Sequence, residues 1–414
     1  MIMSAGMTIP LKFDLKKTKV LPIWFSVILF TRMVITFTVF SFLQPISYLV
    51  IGLMCLNFIV ISVLYIKGMK MSQYGLAVFM YMVSIAVFTT IQGTDIKTAF
   101  YDMIEVFSLL FIFAYYSNQW KTLLYSICLL FSIVVYLNLV IMIVFPDWMF
   151  AAEDEFDSFL LGGNRNQMGC RMMCAIISSI LCTPYNKKWI LNTIGVALIS
   201  VITLLMVGSM NSISNIILFS LLCLIPSKKL LKYALVVFFA FYVLFQCLVC
   251  FQGEGLHNNE LAAYLIQDVL GKDMTFTNRT EMWDAAAKKF AESPIIGWGR
   301  VDADWYVSEM NSFAIGPHNF IYSVLIYGGL VGMALFLLCC VAAMKRIWSY
   351  LDRTALLLLL GVVTFLFMMC FEVYKVFFVF YLFAMIYYYP DLYKSKDIVD
   401  GNSDISRKES ISNE

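Results

Sequence analysis

Residues 21–43 read LPIWFSVILFTRMVITFTVFSFL and carry one charged side chain, Arg32. Twenty-three largely apolar residues exceed the length a membrane helix needs, about 20 residues at 1.5 Å each. Lys12, Lys16, Lys17 and Lys19 precede the run. It is too long for the apolar region of a cleaved signal and shows no small-residue cleavage site, so it reads as an anchor that stays in the membrane.

The pattern repeats along the chain. Apolar runs fall near 46–66, 74–91, 103–117, 121–146, 166–183, 189–207, 212–226, 231–251, 319–344, 354–371 and 373–389. The 414 residues are 61% hydrophobic and 14% charged, with mean hydropathy +0.83. A soluble domain cannot bury that much apolar surface. The runs are continuous rather than alternating, which excludes a membrane β-barrel. The expected fold is an all-α polytopic membrane protein of about twelve transmembrane helices. Residues 1–393 read as one membrane domain and 394–414 as a polar, disordered cytoplasmic tail.

Charge sets the orientation. Lys67 and Lys70, Lys121, Lys187 and Lys188, Lys228 to Lys232, Lys345 to Arg353, and Lys394 with Lys396 fall in alternate connections. By the positive-inside rule these connections and both termini are cytoplasmic. The stretch Asp147 to Asp157 and a long loop at 252–318 then lie on the extracytoplasmic side. A net charge of +2 without a basic stripe gives no sign of nucleic-acid binding. All eleven cysteines lie in or beside apolar runs. Cys247-x-x-Cys250 has only His257 nearby, so ordinary membrane cysteines are the reading and no metal site is expected.

The long loop gathers the polar motifs. Asn278-Arg279-Thr280-Glu281 reads as a helix start, with Asn278 as N-cap and Glu281 three residues later. Trp283, Ala287 and Phe290 follow at helical spacing, and Ser293-Pro294 ends the helix. Arg279 in the first turn suits a phosphate or pyrophosphate, because helix-end N–H groups and a guanidinium grip such an anion together. The alternative is a surface arginine paired with Glu281 or Asp284. The sequon Asn278-Arg279-Thr280 reads as a chance match. His318, where the chain re-enters the membrane, is of the residue type that takes a proton from a hydroxyl near neutral pH; the alternative is a loop held by its hydrogen bonds. Gly328, Gly329 and Gly332 are expected to let the next helix pack closely.

A second cluster, Gly162-Gly163-Asn164-Arg165-Asn166-Gln167-Met168-Gly169, opens the sixth run, with Asn164 as a helix cap. Arg165 and Arg171 lie six residues apart on different helix faces. Arg171, deeper in the run, implies an aqueous cavity, an anionic ligand or a carboxylate partner, whereas Arg165 can reach lipid headgroups. Arg32, Glu372 and Lys375 each need a partner or water, and structural ion pairs are expected.

Three segments taken in order resemble the O-antigen ligase/polymerase superfamily, as a Wzy-like polymerase. They are Asn278-Arg279-Thr280-Glu281-Met282-Trp283, Ser293-Pro294-Ile295-Ile296-Gly297-Trp298-Gly299, and His318-Asn319 with Gly329 and Gly332 following. The resemblance covers about 275–335. It implies a GT-C-like membrane glycosyltransferase working outside the membrane with no cofactor, metal or nucleotide sugar. An acceptor hydroxyl would attack a glycan carried on polyprenyl pyrophosphate, and the lipid pyrophosphate would leave. The resemblance implies Arg279 as pyrophosphate ligand, Arg165 or Arg171 as second cation, and His318 on the acceptor or leaving group. Asn319 and Arg300 are further substrate-binding candidates. Polymerisation of O-antigen or capsular repeat units is the favoured activity, with a chain-length regulator and a flippase as implied partners. A ligase delivering finished glycan is the alternative. A flippase of lipid-linked sugars is a third reading, but it predicts charges spread through two pseudo-symmetric halves near the midplane.

Overall fold

The computed structural model describes residues 20–37, 40–68, 71–150, 159–253, 255, 278–310 and 316–392. The N-terminal lysines, His257, most of the loop before Asn278, and the tail from Lys394 lie outside them. Among the described residues the chain is helical, and the extended pairings are two isolated bridges. An all-α membrane protein is thus the observed class. By length and apolarity, six helices can each cross a membrane: Ser41–Val63, Gln73–Gln92, Ser117–Val144, Trp189–Val207, Lys228–Cys250 and Phe320–Tyr350. Four shorter apolar helices accompany them: Val20–Val34, Met210–Cys223, Arg353–Met368 and Val376–Leu392.

In chain order, α1 is Val20–Ile28, α2 Gln44–Gly68, α3 Gln73–Gln92, α4 Ile96–Tyr115, α5 Trp120–Val144 and α6 Arg165–Cys182. Continuing, α7 is Trp189–Val207, α8 Met210–Cys223, α9 Lys228–Phe245, α10 Arg279–Glu292 and α11 Ala303–Glu309. The last three are α12 Phe320–Ile347, α13 Arg353–Met368 and α14 Val376–Leu392.

The core is built on α6, buried from Met168 to Cys182 and packed on α5, α7 and α13. Helices α13 and α14 are buried along most of their length. In contrast, α2 and α9 leave Leu49, Leu56, Val236, Val237 and Leu244 exposed. Lipid is as apolar as leucine, so these faces need no protein cover.

The first apolar run departs from expectation. It is not one helix through Leu43: α1 stops at Ile28, a single turn covers Thr31–Val34, and Ile35 bridges to Leu161. The backbone groups freed by the break find partners in protein, as they must away from water. Thr36 N donates to Leu160 O at 2.8 Å, and Arg171 Nε donates to Met33 O at 3.2 Å. The break also leaves Arg32 against Glu105 of α4. That helix begins at its Asp95 cap, earlier than the apolar run alone indicates, and so carries Asp102 and Glu105.

Candidate active site

The loop motifs have an architectural reason. Helix α12 is broken at Gly329, whose φ of 57° and ψ of −152° no residue with a side chain adopts comfortably. The segment Pro294–Gly299 fills the break. Trp298 N donates to Ile326 O at 2.6 Å and Gly299 N to Tyr327 O at 3.1 Å. In return Leu330 N donates to Pro294 O at 2.8 Å and Val331 N to Ile295 O at 3.1 Å. A Cβ on Gly329 would come within 2.4 Å of Ile295 O. Gly329 therefore does more than let helices pack: it lets a loop join a split helix.

That join positions a wall of polar side chains. Arg300 follows the loop directly. Its backbone N donates to Thr89 Oγ1 at 2.7 Å, and its carbonyl accepts from Asp95 N at 2.9 Å. Its guanidinium donates to Asp102 Oδ2 at 2.9 Å, Tyr327 Oη at 2.6 Å and Val301 O at 2.8 Å. Burial opposes this charge, but Tyr327 and Asp102 outweigh it and hold the Arg300 pKa above the ordinary range. Burial raises and Thr98 lowers the pKa of Asp95; the Thr98 hydrogen bonds prevail and keep it below the usual carboxylate value.

A cavity of about 450 Å³ opens between this wall, the start of α6, and the connector from α13 to α14. Arg300, His318, Glu372 and Lys375 line it, with Asn164 and Gln167 at the start of α6. His318 and Glu372 face each other, His318 Nδ1 lying 3.5 Å from Glu372 Oε1. Neither His318 Nδ1 nor Glu372 Oε2 has a hydrogen-bond partner among the described residues. His318 is held at φ 45°, in the left-handed region where a side chain is strained by about 1–2 kcal/mol. Strain of that kind, beside buried unsatisfied polar atoms, marks candidate reactive sites.

Asn319 is fully buried and does not line the cavity. Its Oδ1 accepts from Tyr322 N at 3.2 Å and caps α12, while Nδ2 donates to Gln246 Oε1 at 3.1 Å. It fixes the start of the helix and so the place of His318. Arg279 Nε donates to Phe371 O at 2.7 Å, which sets it beside Glu372. Burial pulls its pKa down, and Glu372 and Tyr374 act in the opposite sense. Helix α10 forms as the spacing predicts, with Trp283 and Ala286 packed on Tyr322 and Ile326. The expected cap does not form: Asn278 has φ 63° and its side chain makes no capping bond. An N-cap needs extended backbone, and the left-handed turn that asparagine tolerates takes it away from that geometry.

Arg165 is exposed at the start of α6 and lines no part of the cavity. Arg171 is buried, and among the described residues its first partners are backbone carbonyls rather than a carboxylate. It bonds backbone carbonyls, Met33 O and Gln167 O (2.7 Å), with its guanidinium over Phe378. It also donates to Gln167 Oε1 at 3.3 Å, and Gln167 Nε2 donates to Val373 O at 2.9 Å. Arg171 thus steadies the connector that carries Glu372. Ion pairs expected for Arg32 and Lys375 are present, both to Glu105, while Glu372 lies against His318. Two acidic residues escaped sequence reasoning. Glu105 offered a signal, a lone acid inside an apolar run, and Asp102 offered none that separates it from a loop acid.

The fold is that of a helical membrane protein, with strained and unsatisfied groups gathered at one polar cavity. Residues 168–337 match the family model described as O-antigen ligase. The match covers 170 of the 414 residues and makes this stretch similar to the O-antigen ligase family, whose members transfer glycans. It spans Arg171, Arg279, Arg300, His318 and Asn319, but not Arg165, Glu372 or Lys375. No curated protein and no solved structure matches the chain.

Proposed function

We propose that this protein is a membrane glycosyltransferase that polymerises oligosaccharide repeat units carried on polyprenyl pyrophosphate. The observation that carries the reading is the His318–Glu372 pair, 3.5 Å apart at the cavity; Arg279, outside the cavity lining, is held at Phe371 O, next in the chain to Glu372. An acceptor hydroxyl in the cavity gives its proton to His318, and Glu372 steadies the resulting imidazolium. The hydroxyl oxygen bonds to the anomeric carbon as the bond from that carbon to the pyrophosphate oxygen breaks. The leaving pyrophosphate takes the electron pair, and a fixed guanidinium such as Arg279 stabilises it as charge develops. About twelve spans, a GT-C-like arrangement, cytoplasmic termini and an outward-facing cavity complete this reading.

Transfer of a finished glycan to another acceptor uses the same leaving group, and the description of the matched family favours that second reading. A flippase draws no support from the match. Glycan from cells lacking the gene separates the two transfer reactions. Single repeats left on the lipid carrier, with long chains restored by the wild type but not by His318→Ala, support polymerisation. Long chains that accumulate on the carrier without reaching their final acceptor support the ligase instead.

A further inference from the structure

The cavity has two cationic side chains among its described lining residues, Arg300 and Lys375. Arg300 is largely committed: Asp102, Tyr327 and Val301 take three of its five donors at 2.6–2.9 Å. Lys375 is held differently. Its Nζ lies 3.6 Å from Glu105 Oε1, and its side chain remains 42% exposed. Glu105 is almost fully buried and already paired with Arg32. One carboxylate here serves two cations, while the acids lining the cavity are engaged elsewhere: Asp102 with Arg300, Asp95 and Asp302 as helix caps, and Glu372 against His318. Lys375 also precedes α14, and Val376, the first residue of that helix, lines the cavity as well. The first N–H groups of a helix lack partners within it and carry positive potential, so they add to the same field. Glu372 and His318, also in the cavity lining, present atoms without hydrogen-bond partners among the described residues, suited to a hydroxyl.

We infer that Lys375 is the second cation of the site, binding the pyrophosphate of the lipid-linked donor in the place that sequence reading gave to Arg165 or Arg171. This rests on the glycosyltransferase reading and deepens it. Glu105 keeps the ammonium extended toward the cavity before the anion binds, and the phosphate oxygens take over as its partner on binding. Arg32 stays with Glu105, so the buried carboxylate is never left without a cation.

The test uses the full chain purified in detergent, with inorganic pyrophosphate as the probe and calorimetric titration as the readout. Lys375→Gln is expected to weaken binding about tenfold or more, the effect of losing one charge-assisted contact. Lys375→Arg, which keeps the charge, is expected to stay near the wild type. Thermal unfolding of each variant separates a lost contact from a lost fold; if Lys375→Gln unfolds, Lys375→Arg against Lys375→Met gives the same comparison. Equal affinity in wild type and the neutral variants overturns the assignment, as does a wild type that binds no pyrophosphate. Lys375-dependent binding in a protein whose deletion leaves cellular glycan unchanged would keep the anion site and remove the glycosyltransferase reading. Altered glycan on deletion with Lys375-independent binding would do the reverse.

Discussion

Gly329 and Gly332 sit three residues apart in the same motif, yet the structure assigns their substitutions opposite consequences. A Cβ on Gly329 would meet Ile295 O at 2.4 Å, Ile295 C at 2.5 Å and Ile296 N at 2.7 Å. All three are backbone atoms and cannot swing aside. The backbone conformation itself costs a side chain about 1–3 kcal/mol. If the loop moves out, the four hydrogen bonds joining it to α12 are at risk, each contributing about 0.5–1.5 kcal/mol. Counting the strain and two lost bonds, Gly329→Ala should destabilise the protein by on the order of 4 kcal/mol. At Gly332 the nearest atoms to a Cβ are Ile85 Cδ1 and Val324 O, both at 3.7 Å, an ordinary contact distance. Gly332→Ala should therefore fall within about 1 kcal/mol of the wild type and can even stabilise a helix interior. Unfolding in mixed micelles by titration with denaturing detergent reads both variants against the parent. A Gly329→Ala protein as stable as the wild type, or a Gly332→Ala protein equally damaged, would refute the split-helix geometry as the reason for these glycines.

Asn319→Ala removes the α12 cap and strands the Gln246 amide, and should cost on the order of 3 kcal/mol in the same unfolding assay. Asn319→Ser, which keeps an acceptor at the cap, should recover about 1 kcal/mol of that loss. For Arg171→Lys, an ammonium cannot serve Met33 O and Gln167 together, so the melting temperature should drop and kcat should fall as the connector loosens. If Arg171 instead held the substrate, KM would rise at unchanged melting temperature.

Much of the architecture is legible from composition and periodicity, because each apolar run of about 20 residues has few alternatives to a helix. Helix α10 and its end at Ser293 follow from local spacing and turn chemistry. The break after Val34 does not: apolar run length cannot register an interruption whose partners, Leu160 and Arg171, lie more than a hundred residues away. Arg171 illustrates the same limit. A buried arginine demands partners, but the sequence does not distinguish a ligand or carboxylate from the carbonyls released by a broken helix. His318 and Arg279 were visible as motif residues. Their meeting with Glu372 depends on the α13–α14 connector folding back over the loop, a contact separated by 54 residues from His318 to Glu372 (372 − 318). Gly329 was legible as a glycine that matters, though not as the place where a helix is split and rejoined.

At the centre of the proposed reaction, a proton leaves an acceptor hydroxyl through His318 as polyprenyl pyrophosphate departs. The most direct measurement uses the purified full chain in liposomes supplied with a lipid-linked repeat unit. Released polyprenyl pyrophosphate and glycan length are followed together for the wild type and His318→Ala. The expected result is one pyrophosphate released per repeat added, with both rates falling by about 10²–10⁴ in the variant. Full activity in His318→Ala, or glycan extension without pyrophosphate release, would contradict it.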